Sequence, residues 1–177
     1  MNLEDLYFKA WRSGPNMGEH CPTLRLLASE CRSIAEFGTN GAVSTTALLA
    51  AQPERLTTID PAPSPAAAAL LPLAGRTRFE ILQASSLEID IEPTDLLLID
   101  SQHTFAQLSG ELERHCGKVS RWIILHDLLS FGDVGEDGGR GLAPAMYEFL
   151  SSHPEWRIVA EYRNSHGLTI LRRRNEQ

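Results

Sequence analysis

Four short apolar runs, each closed by an acidic residue, constrain the fold of this chain more than any other feature. The closing acids are Glu36, Asp60, Asp100 and Asp127. Helix-like or loop-like segments separate the runs, and the run at 95–100 is continuously apolar between its bounding acids, as in a central strand buried on both faces. This alternation predicts a mostly parallel sheet covered on both faces, with ligands at the carboxyl ends of its strands. All four acids should therefore open on the same edge of the sheet.

The rest of the pattern predicts the remaining elements. We expect strands at 33–37, 56–60, 78–82, 95–100, 122–125, 157–162 and 168–171, and helices at 3–12, 23–30, 45–51, 66–71, 104–119 and 142–150. A breaker, Ser13-Gly14-Pro15-Asn16, separates the two N-terminal helices. The segment 163–167 joins the last two strands and is too short for a crossover helix, so these strands should pair antiparallel.

Length and composition limit the class of protein. The 177 residues suffice for one α/β domain, expected over 1–177 with 1–32 as a helical lead-in. A net charge of −7 argues against a nucleic-acid partner, because such binding depends on Lys and Arg contacts to phosphate. No apolar run approaches the ~20 residues that span a bilayer, and the first residues lack a secretory signal, so we expect no membrane partner and a cytoplasmic location.

The first predicted strand runs into a turn with two glycines and then into a helix. Gly38 and Gly41 leave backbone N–H groups that a ligand can approach closely, because glycine has no Cβ. The turn suits a nucleotide-like ligand, although a tight strand-to-helix turn also needs glycine for steric reasons alone. Asp60, 22 residues after Gly38, has the position from which a carboxylate binds ribose hydroxyls. Alternatively, Asp60 only begins the turn before Pro61.

Asp100 and Asp127 end two strands that are adjacent if the sheet is ordered as we expect. Neighbouring parallel strands lie about 4.8 Å apart, so the two carboxylates can converge on one hard cation such as Mg²⁺ or Ca²⁺. The alternative is two solvated or helix-capping acids. His126 should point to the opposite side of the extended backbone from Asp127, where it is either a further ligand or a packed histidine.

Other polar residues follow the strands at the same edge. His103, at the start of the helix after Asp100, is either a base with a pKa near the working pH or a solvent-facing side chain. Ser85 and Ser86 either contact a base ring or end the third strand. The glycine-rich and acidic loop at 128–141 is either a substrate lid or a flexible connection. The sequence contains no GxSxG elbow, no Walker-type phosphate loop and no Cys/His set for nucleophilic catalysis.

Taken in order, these motifs resemble the class I S-adenosylmethionine-dependent methyltransferases. More narrowly, they resemble the small-molecule O-methyltransferase branch that includes cephalosporin hydroxylase-like and macrocin O-methyltransferase-like proteins. Glu36 to Thr45 is similar to the first motif of that group, and Leu56 to Asp60 to the second. Leu97 to Phe105 resembles its IDGDHSY box, and Ile123 to Asp127 its IVLHD strand. The match extends over 30–171.

The resemblance implies a three-layer Rossmann-like α/β fold with about seven strands, the last of them antiparallel. It also implies S-adenosylmethionine as cofactor, with Glu36 and Gly38 at the methionine end, Asp60 at the ribose and Ser85 near the adenine. The full set of expected cofactor-binding residues is Glu36, Gly38, Thr39, Gly41, Ser44, Asp60, Ser85 and Asp100.

In metal-using members of the family, acids that match Asp100 and Asp127 bind Mg²⁺, and the position of His126 can contribute. A histidine that matches His103 acts as the base, so the resemblance makes His103 and Asp100 the catalytic candidates. The implied mechanism is in-line displacement, in which a substrate hydroxyl attacks the sulfonium methyl group.

Three features depart from the family pattern. The second turn glycine of the family falls at Ala42, with Gly41 one position early. Ser101 and Gln102 replace the usual Gly-Asp, which removes one acid from the metal neighbourhood. Little chain precedes the first strand, so the site is either open or closed by the partner subunit of a homo-oligomer.

The leading hypothesis is therefore an O-methyltransferase acting on a small hydroxylated molecule, such as a sugar or a natural-product scaffold. A nicotinamide-dependent oxidoreductase is disfavoured, because the turn lacks the GxGxxG spacing and the sequence has no Tyr-x-x-x-Lys pair. A third hypothesis is a methyltransferase-like module that works by association. Ala42 and Gln102 favour this third hypothesis, which the fold alone does not exclude.

Overall fold

The computed structural model describes residues 2–12, 14 and 16–174, which form a seven-stranded mixed sheet with helices on both faces. The strands are β1 (Ser33–Phe37), β2 (Arg55–Asp60), β3 (Arg78–Gln83), β4 (Thr94–Ile99), β5 (Val119–His126), β6 (Trp156–Tyr162) and β7 (Leu168–Arg173). The helices are α1 (Leu3–Trp11), α2 (Cys21–Ala28), α3 (Val43–Ala50), α4 (Pro65–Ala68), α5 (Phe105–His115) and α6 (Leu142–Ser152). Short 3-10 turns occupy Met17–His20, Leu71–Leu73 and Cys116–Lys118.

The sheet has the order β3-β2-β1-β4-β5-β7-β6. Strands β1 to β5 pair in parallel, and β7 lies antiparallel between β5 and β6. The predicted fold class and the antiparallel terminal pair are therefore confirmed. Because β4 and β5 are neighbours, the acids that follow them meet at one edge, as the sequence predicts.

The element bounds differ from the prediction mainly where a proline or glycine interrupts a helix. The helix expected at 66–71 ends at Ala68, since Pro72 is incompatible with a continuing α-helix, and a 3-10 turn follows. The helix expected at 104–119 ends at His115, and a 3-10 turn containing Gly117 leads into a longer β5. Ser13 and Pro15 of the predicted breaker lie outside the described residues. Within the described ranges, no helix is long and apolar enough to cross a membrane.

Alternating side chains of the central strands bury two apolar layers. Ile34 of β1 and Leu96 of β4 join the layer under α1, α2 and α3. Phe37 of β1 and Leu97 of β4 join the layer under α5 and α6. A strand whose successive residues face opposite sides needs apolar residues on both, which explains the continuous apolar runs in the sequence.

The turn between β1 and α3 is the tightest point of the fold. Gly38 has φ +86°, and a Cβ there would lie 2.0 Å from the carbonyl oxygen of Asp100. The residue that caps α3 in the left-handed conformation is Ala42, with φ 57°, rather than Gly41. Ala42 therefore adopts a conformation that favours glycine.

We expect Gly38→Ala to lower the free energy of unfolding by roughly 2–4 kcal/mol, because left-handed strain and a backbone clash add. Denaturant titration of the purified variant measures this loss. Gly41→Ala is the matched control, since a Cβ there meets nothing within 4 Å and its φ is not positive. Equal stability of the two variants would contradict the role assigned to Gly38.

Candidate functional site

A cavity of about 980 Å³ opens at the carboxyl ends of the parallel strands. Most residues singled out from the sequence line it: Gly38, Thr39, Gly41, Ser44, Asp60, Ser85, Asp100, His103 and Asp127. Glu36 and His126 do not line it; both are buried behind its wall. The edge of the sheet thus gathers the predicted residues around one space large enough for a nucleotide-sized ligand and a second small molecule.

Asp60 is fixed by the turn that follows β1. Its Oδ2 accepts hydrogen bonds from the Thr39 backbone N–H at 2.7 Å and from Thr39 Oγ1 at 2.9 Å, and its Oδ1 accepts from the Ala62 N–H at 2.7 Å. Burial alone would raise the pKa of Asp60, but these donors outweigh burial and hold the pKa below its ordinary value. The carboxylate is therefore ionised, and its remaining lone pairs can accept from hydroxyl donors.

Glu36 is buried behind the turn and is hydrogen-bonded to the first part of α3. Its Oε2 accepts a hydrogen bond from Thr45 Oγ1 at 2.7 Å, while Oε1 is buried and has no partner among the described residues. Thr58, which pairs with Glu36 across β1 and β2, also has a buried hydroxyl without a partner there. Burial raises the pKa of Glu36 to about 7, because the ionised form loses its hydration.

Two carboxylates and two imidazoles meet beyond the ends of β4 and β5. His103 Nε2 lies 2.9 Å from Asp127 Oδ2 and 3.7 Å from Asp100 Oδ1. His126 Nδ1 lies 3.1 Å from both carboxylates, and its Nε2 donates to the carbonyl oxygen of Ser165 at 3.1 Å. We call Asp100, His103, His126 and Asp127 the acid–histidine cluster.

The expectation that His126 and Asp127 point to opposite sides is wrong. Asp127 adopts φ 65°, so the extended backbone ends at His126. The Asp127 side chain then turns back to the side on which His126 meets Asp100. Two N–H groups of the following turn, from Ser130 and Phe131, donate to the Asp127 carbonyl oxygen and hold this conformation. Aspartate tolerates the left-handed region better than most residues, which makes the reversal possible.

The cluster shifts the ionisation of its members. Burial alone would lower the pKa values of the histidines, but the carboxylates outweigh it and raise that of His103 to about 10 and that of His126 to about 9. The same pairing holds the pKa of Asp127 far below its ordinary value, although burial opposes this. At neutral pH, both imidazoles are therefore protonated and lie between Asp100 and Asp127, with the carboxyl group of Glu136 also 3.1 Å from His103 Nδ1.

The donor set fits a divalent cation. One ligand atom from each of Asp100, His103 and Asp127 lies within 4.8 Å of the other two. A cation between the carboxylates would supply the charge that the imidazolium protons now supply, so its binding would release protons. Gln102, which lines the same cavity, offers an amide and adds no carboxylate to this set.

The loop at 128–141 contributes side chains that the sequence did not single out. Phe131 stacks on the His103 ring with 4.6 Å between ring centroids, and Glu136 Oε2 lies 3.1 Å from His103 Nδ1. The Glu136 N–H also donates to the carbonyl oxygen of His103. The acidic composition of the loop was the only signal for Glu136, and nothing in the sequence marked Phe131. His103 is thus held at Nδ1 and on one ring face, while its buried Nε2 lies 2.9 Å from Asp127 Oδ2 without the alignment of a hydrogen bond.

Comparison with solved structures shows which proteins share this fold. The O-methyltransferase from Bacillus cereus, solved in complex with S-adenosylhomocysteine, superposes with a TM-score of 0.66 at 20% identity, over 88% of this chain and 81% of that one. The O-methyltransferase TomG from Streptomyces achromogenes, in complex with S-adenosylmethionine, gives 0.62 at 20% identity over 89% and 81%.

A methyltransferase that acts on nitrogen also has this fold. The 1,6-didemethyltoxoflavin-N1-methyltransferase from Burkholderia thailandensis gives a TM-score of 0.66 at 17% identity, over 94% of this chain and 79% of that one. A scan against protein-family models and a search of curated proteins gave no significant match. The chain therefore has the Rossmann-like fold of class I S-adenosylmethionine-dependent methyltransferases, which confirms the resemblance at the level of fold.

We expect Glu36→Gln to stabilise the protein at pH 8 by roughly 1–3 kcal/mol and to change little at pH 4. A carboxyl group whose pKa is raised on folding, here from 4.5 to about 7, loses stability as the pH rises between those values. Glutamine stays neutral and can accept from Thr45 while donating to Thr58. Denaturant titration at both pH values measures the effect, with the exposed Glu113→Gln as control; the same change at pH 4 and pH 8 would contradict it.

The acid–histidine cluster predicts a second pH dependence. Histidines whose pKa values are raised on folding add stability below the unfolded value of 6.5, and this is lost as the pH rises through about 9 to 10. In protein treated with EDTA, stability should fall by roughly 1–3 kcal/mol from pH 7 to 10, and Asp127→Asn should flatten that fall. The exposed Asp133→Asn should keep it. An unchanged slope in Asp127→Asn would exclude the pairing.

Proposed function

We propose that this protein is an S-adenosylmethionine-dependent methyltransferase that transfers a methyl group to a hydroxyl of a small molecule. The observation that carries the proposal is the cavity itself, which places a glycine turn, the ionised Asp60 and the acid–histidine cluster around one space. The fold supports it, since the Bacillus cereus and Streptomyces proteins were solved with S-adenosylhomocysteine and S-adenosylmethionine respectively.

The turn after β1 is the proposed site for the methionine end of the cofactor. Gly38, Thr39 and Gly41 line the cavity there, with Ser44 at the start of α3. The Gly38 N–H donates to the carbonyl oxygen of Ile59 and the Thr39 N–H to Asp60, so these residues offer a ligand close backbone approach rather than free donors. Glu36 acts from beneath this turn through Thr45, rather than by contact with the cavity.

The ribose and base sites follow from the next strand ends. Asp60 would accept from the ribose hydroxyls, which its ionised state favours. Ser85 lies beyond the end of β3 and is proposed near the adenine ring. Asp100 would border both the cofactor and the acceptor, since it lines the cavity and belongs to the acid–histidine cluster.

The proposed reaction forms one O–CH₃ bond and breaks one S–CH₃ bond in line. His103 would accept the hydroxyl proton, a role that requires a neutral imidazole. Without a cation between Asp100 and Asp127, the His103 imidazole keeps its proton until about pH 10. Asp100 and Asp127, with His126, would hold a divalent cation, Mg²⁺ by the donor types of the carboxylates; when bound, it would lower the pKa of a hydroxyl next to it.

Several coarser features belong to the same proposal. We take the chain as one domain over 1–177, working in the cytoplasm on a hydroxylated metabolite such as a sugar or natural-product scaffold. The net charge of −7 supports a partner other than nucleic acid. A homo-oligomer would cover the open side of the cavity. A methyltransferase-like module without turnover is the alternative, favoured by the left-handed Ala42 and by the protonated His103.

Cofactor binding is the first test. Calorimetric titration should give micromolar binding of S-adenosylmethionine and S-adenosylhomocysteine and none of NAD⁺. Asp60→Ala should weaken binding about 10–100-fold, because hydrogen bonds to a charged group are lost. Asp133→Ala, which removes an exposed acid outside the cavity lining, should bind normally. Absence of binding to the unaltered protein would leave the methyltransferase proposal without support.

Turnover is the second test. A panel of hydroxylated acceptors, with Mg²⁺ or with EDTA, should release S-adenosylhomocysteine with at least one member. His103→Ala should lower kcat about 10²–10⁴-fold without changing the Kd of S-adenosylhomocysteine, because only the proton acceptor is removed. His153→Ala, a histidine outside the cavity, should retain activity. Cofactor binding without any turnover would favour the module that works by association.

A further inference from the structure

Helix α5 turns a polar stripe towards the loop that follows β3. Gln107, Glu111 and His115 are spaced four residues apart, so they lie on one face of the helix. The His115 Nε2 donates to the carbonyl oxygen of Ser86 at 2.7 Å. A Cβ at Gly110 would lie 2.8 Å from Leu87, which shows how closely the helix approaches this loop. This face of α5 and the loop after β3 therefore form one wall of the cavity.

Glu111 is the centre of this stripe and is fully buried. Its Oε1 accepts from Ser86 Oγ at 2.6 Å and from Gln107 Nε2 at 2.9 Å, and its Oε2 accepts from Ser101 Oγ at 2.9 Å. Burial raises the pKa of Glu111, and the three donors oppose that rise. No ion pair to Glu111 occurs in the part of the chain that the structure describes, and its direct hydrogen-bond donors are all neutral, although the nearby charge of His103 also favours the carboxylate.

The three donors all line the cavity. Both oxygens of Glu111 act as acceptors in these contacts, so the hydroxyl protons of Ser86 and Ser101 point to Glu111. Both amide protons of Gln107 are used as well, because its Nε2 donates to Ser86 Oγ at 2.9 Å and to Glu111. The groups that remain free to bind a ligand are the lone pairs of the two hydroxyl oxygens and the amide oxygen of Gln107.

We propose that Glu111 is a positioning residue that makes this end of the cavity accept hydrogen bonds only. Such a wall selects a purine ring that presents an amino group over one that presents a carbonyl oxygen at the same place. This inference rests on the proposed function, because it assigns the wall to the base of the cofactor. Glu111 itself does not line the cavity and acts through Ser86, Ser101 and Gln107.

The inference predicts a preference between two forms of the product. S-adenosylhomocysteine should bind at least about tenfold more tightly than S-inosylhomocysteine, which carries a carbonyl oxygen in place of the amino group. In Glu111→Gln, the new amide donates to the serine hydroxyls, so their protons turn to the cavity. The ratio of the two Kd values should fall at least about fivefold.

The controls separate polarity from packing. Glu113→Gln removes an exposed charge from the same helix and should keep the ratio of the unaltered protein. A merely structural effect of Glu111→Gln would weaken both ligands alike, and an unchanged ratio would overturn the inference. Should Glu111→Gln not fold, Ser101→Ala removes one acceptor from the wall and must also lower the ratio.

The failure of this inference differs from the failure of the proposed function. If the unaltered protein binds both ligands with equal affinity, the acceptor wall is wrong while the cofactor site stands. If it binds neither ligand, the proposed function fails and this inference fails with it.

Discussion

The contact between Gly38 and the end of β4 is the constraint on which the site depends. Because Gly38 has no Cβ, the turn after β1 passes directly against the Asp100 carbonyl. This contact brings the turn at Thr39, the carboxylate of Asp60 and the end of β4 to one edge. Side-chain chemistry from four strands can then surround a single cavity, as expected where ligands bind in open α/β sheets. Every chemical role that we propose therefore depends on the close approach of Gly38 to the end of β4.

Charge balance is the second organising feature of the site. Asp100 and Asp127 lie close together, and two like charges at that distance would repel unless positive charge lay between them. His103 and His126 supply it as imidazolium ions. The arrangement stabilises the fold but occupies the proton position that a general base needs. A cation between the carboxylates would resolve this conflict in physical terms, because it would supply the positive charge in place of the imidazolium protons and leave His103 able to accept a proton.

Much of this could be predicted from the sequence, since the order of strands and helices follows from apolar runs and breakers. The strand-end positions of Asp60, Asp100 and Asp127 also followed from that pattern. The side on which His126 lies could not be predicted, because it depends on the left-handed backbone of Asp127. Glu111 escaped notice for another reason: the periodicity of an amphipathic helix shows which face is apolar, and does not show that an acid turns inward to meet Ser86 and Ser101.

The end of β4 connects the two polar networks of the cavity. Asp100 belongs to the acid–histidine cluster, whereas its neighbour Ser101 donates to Glu111. The first network holds mobile protons on imidazoles, and the second holds a carboxylate with neutral hydroxyl and amide donors. The imidazoles of the first network keep their protons until about pH 9 to 10, while the second network keeps fixed hydrogen-bond directions. Successive residues of one strand end therefore separate a charged cluster from a network of fixed neutral donors around Glu111, so two kinds of polar surface border one cavity.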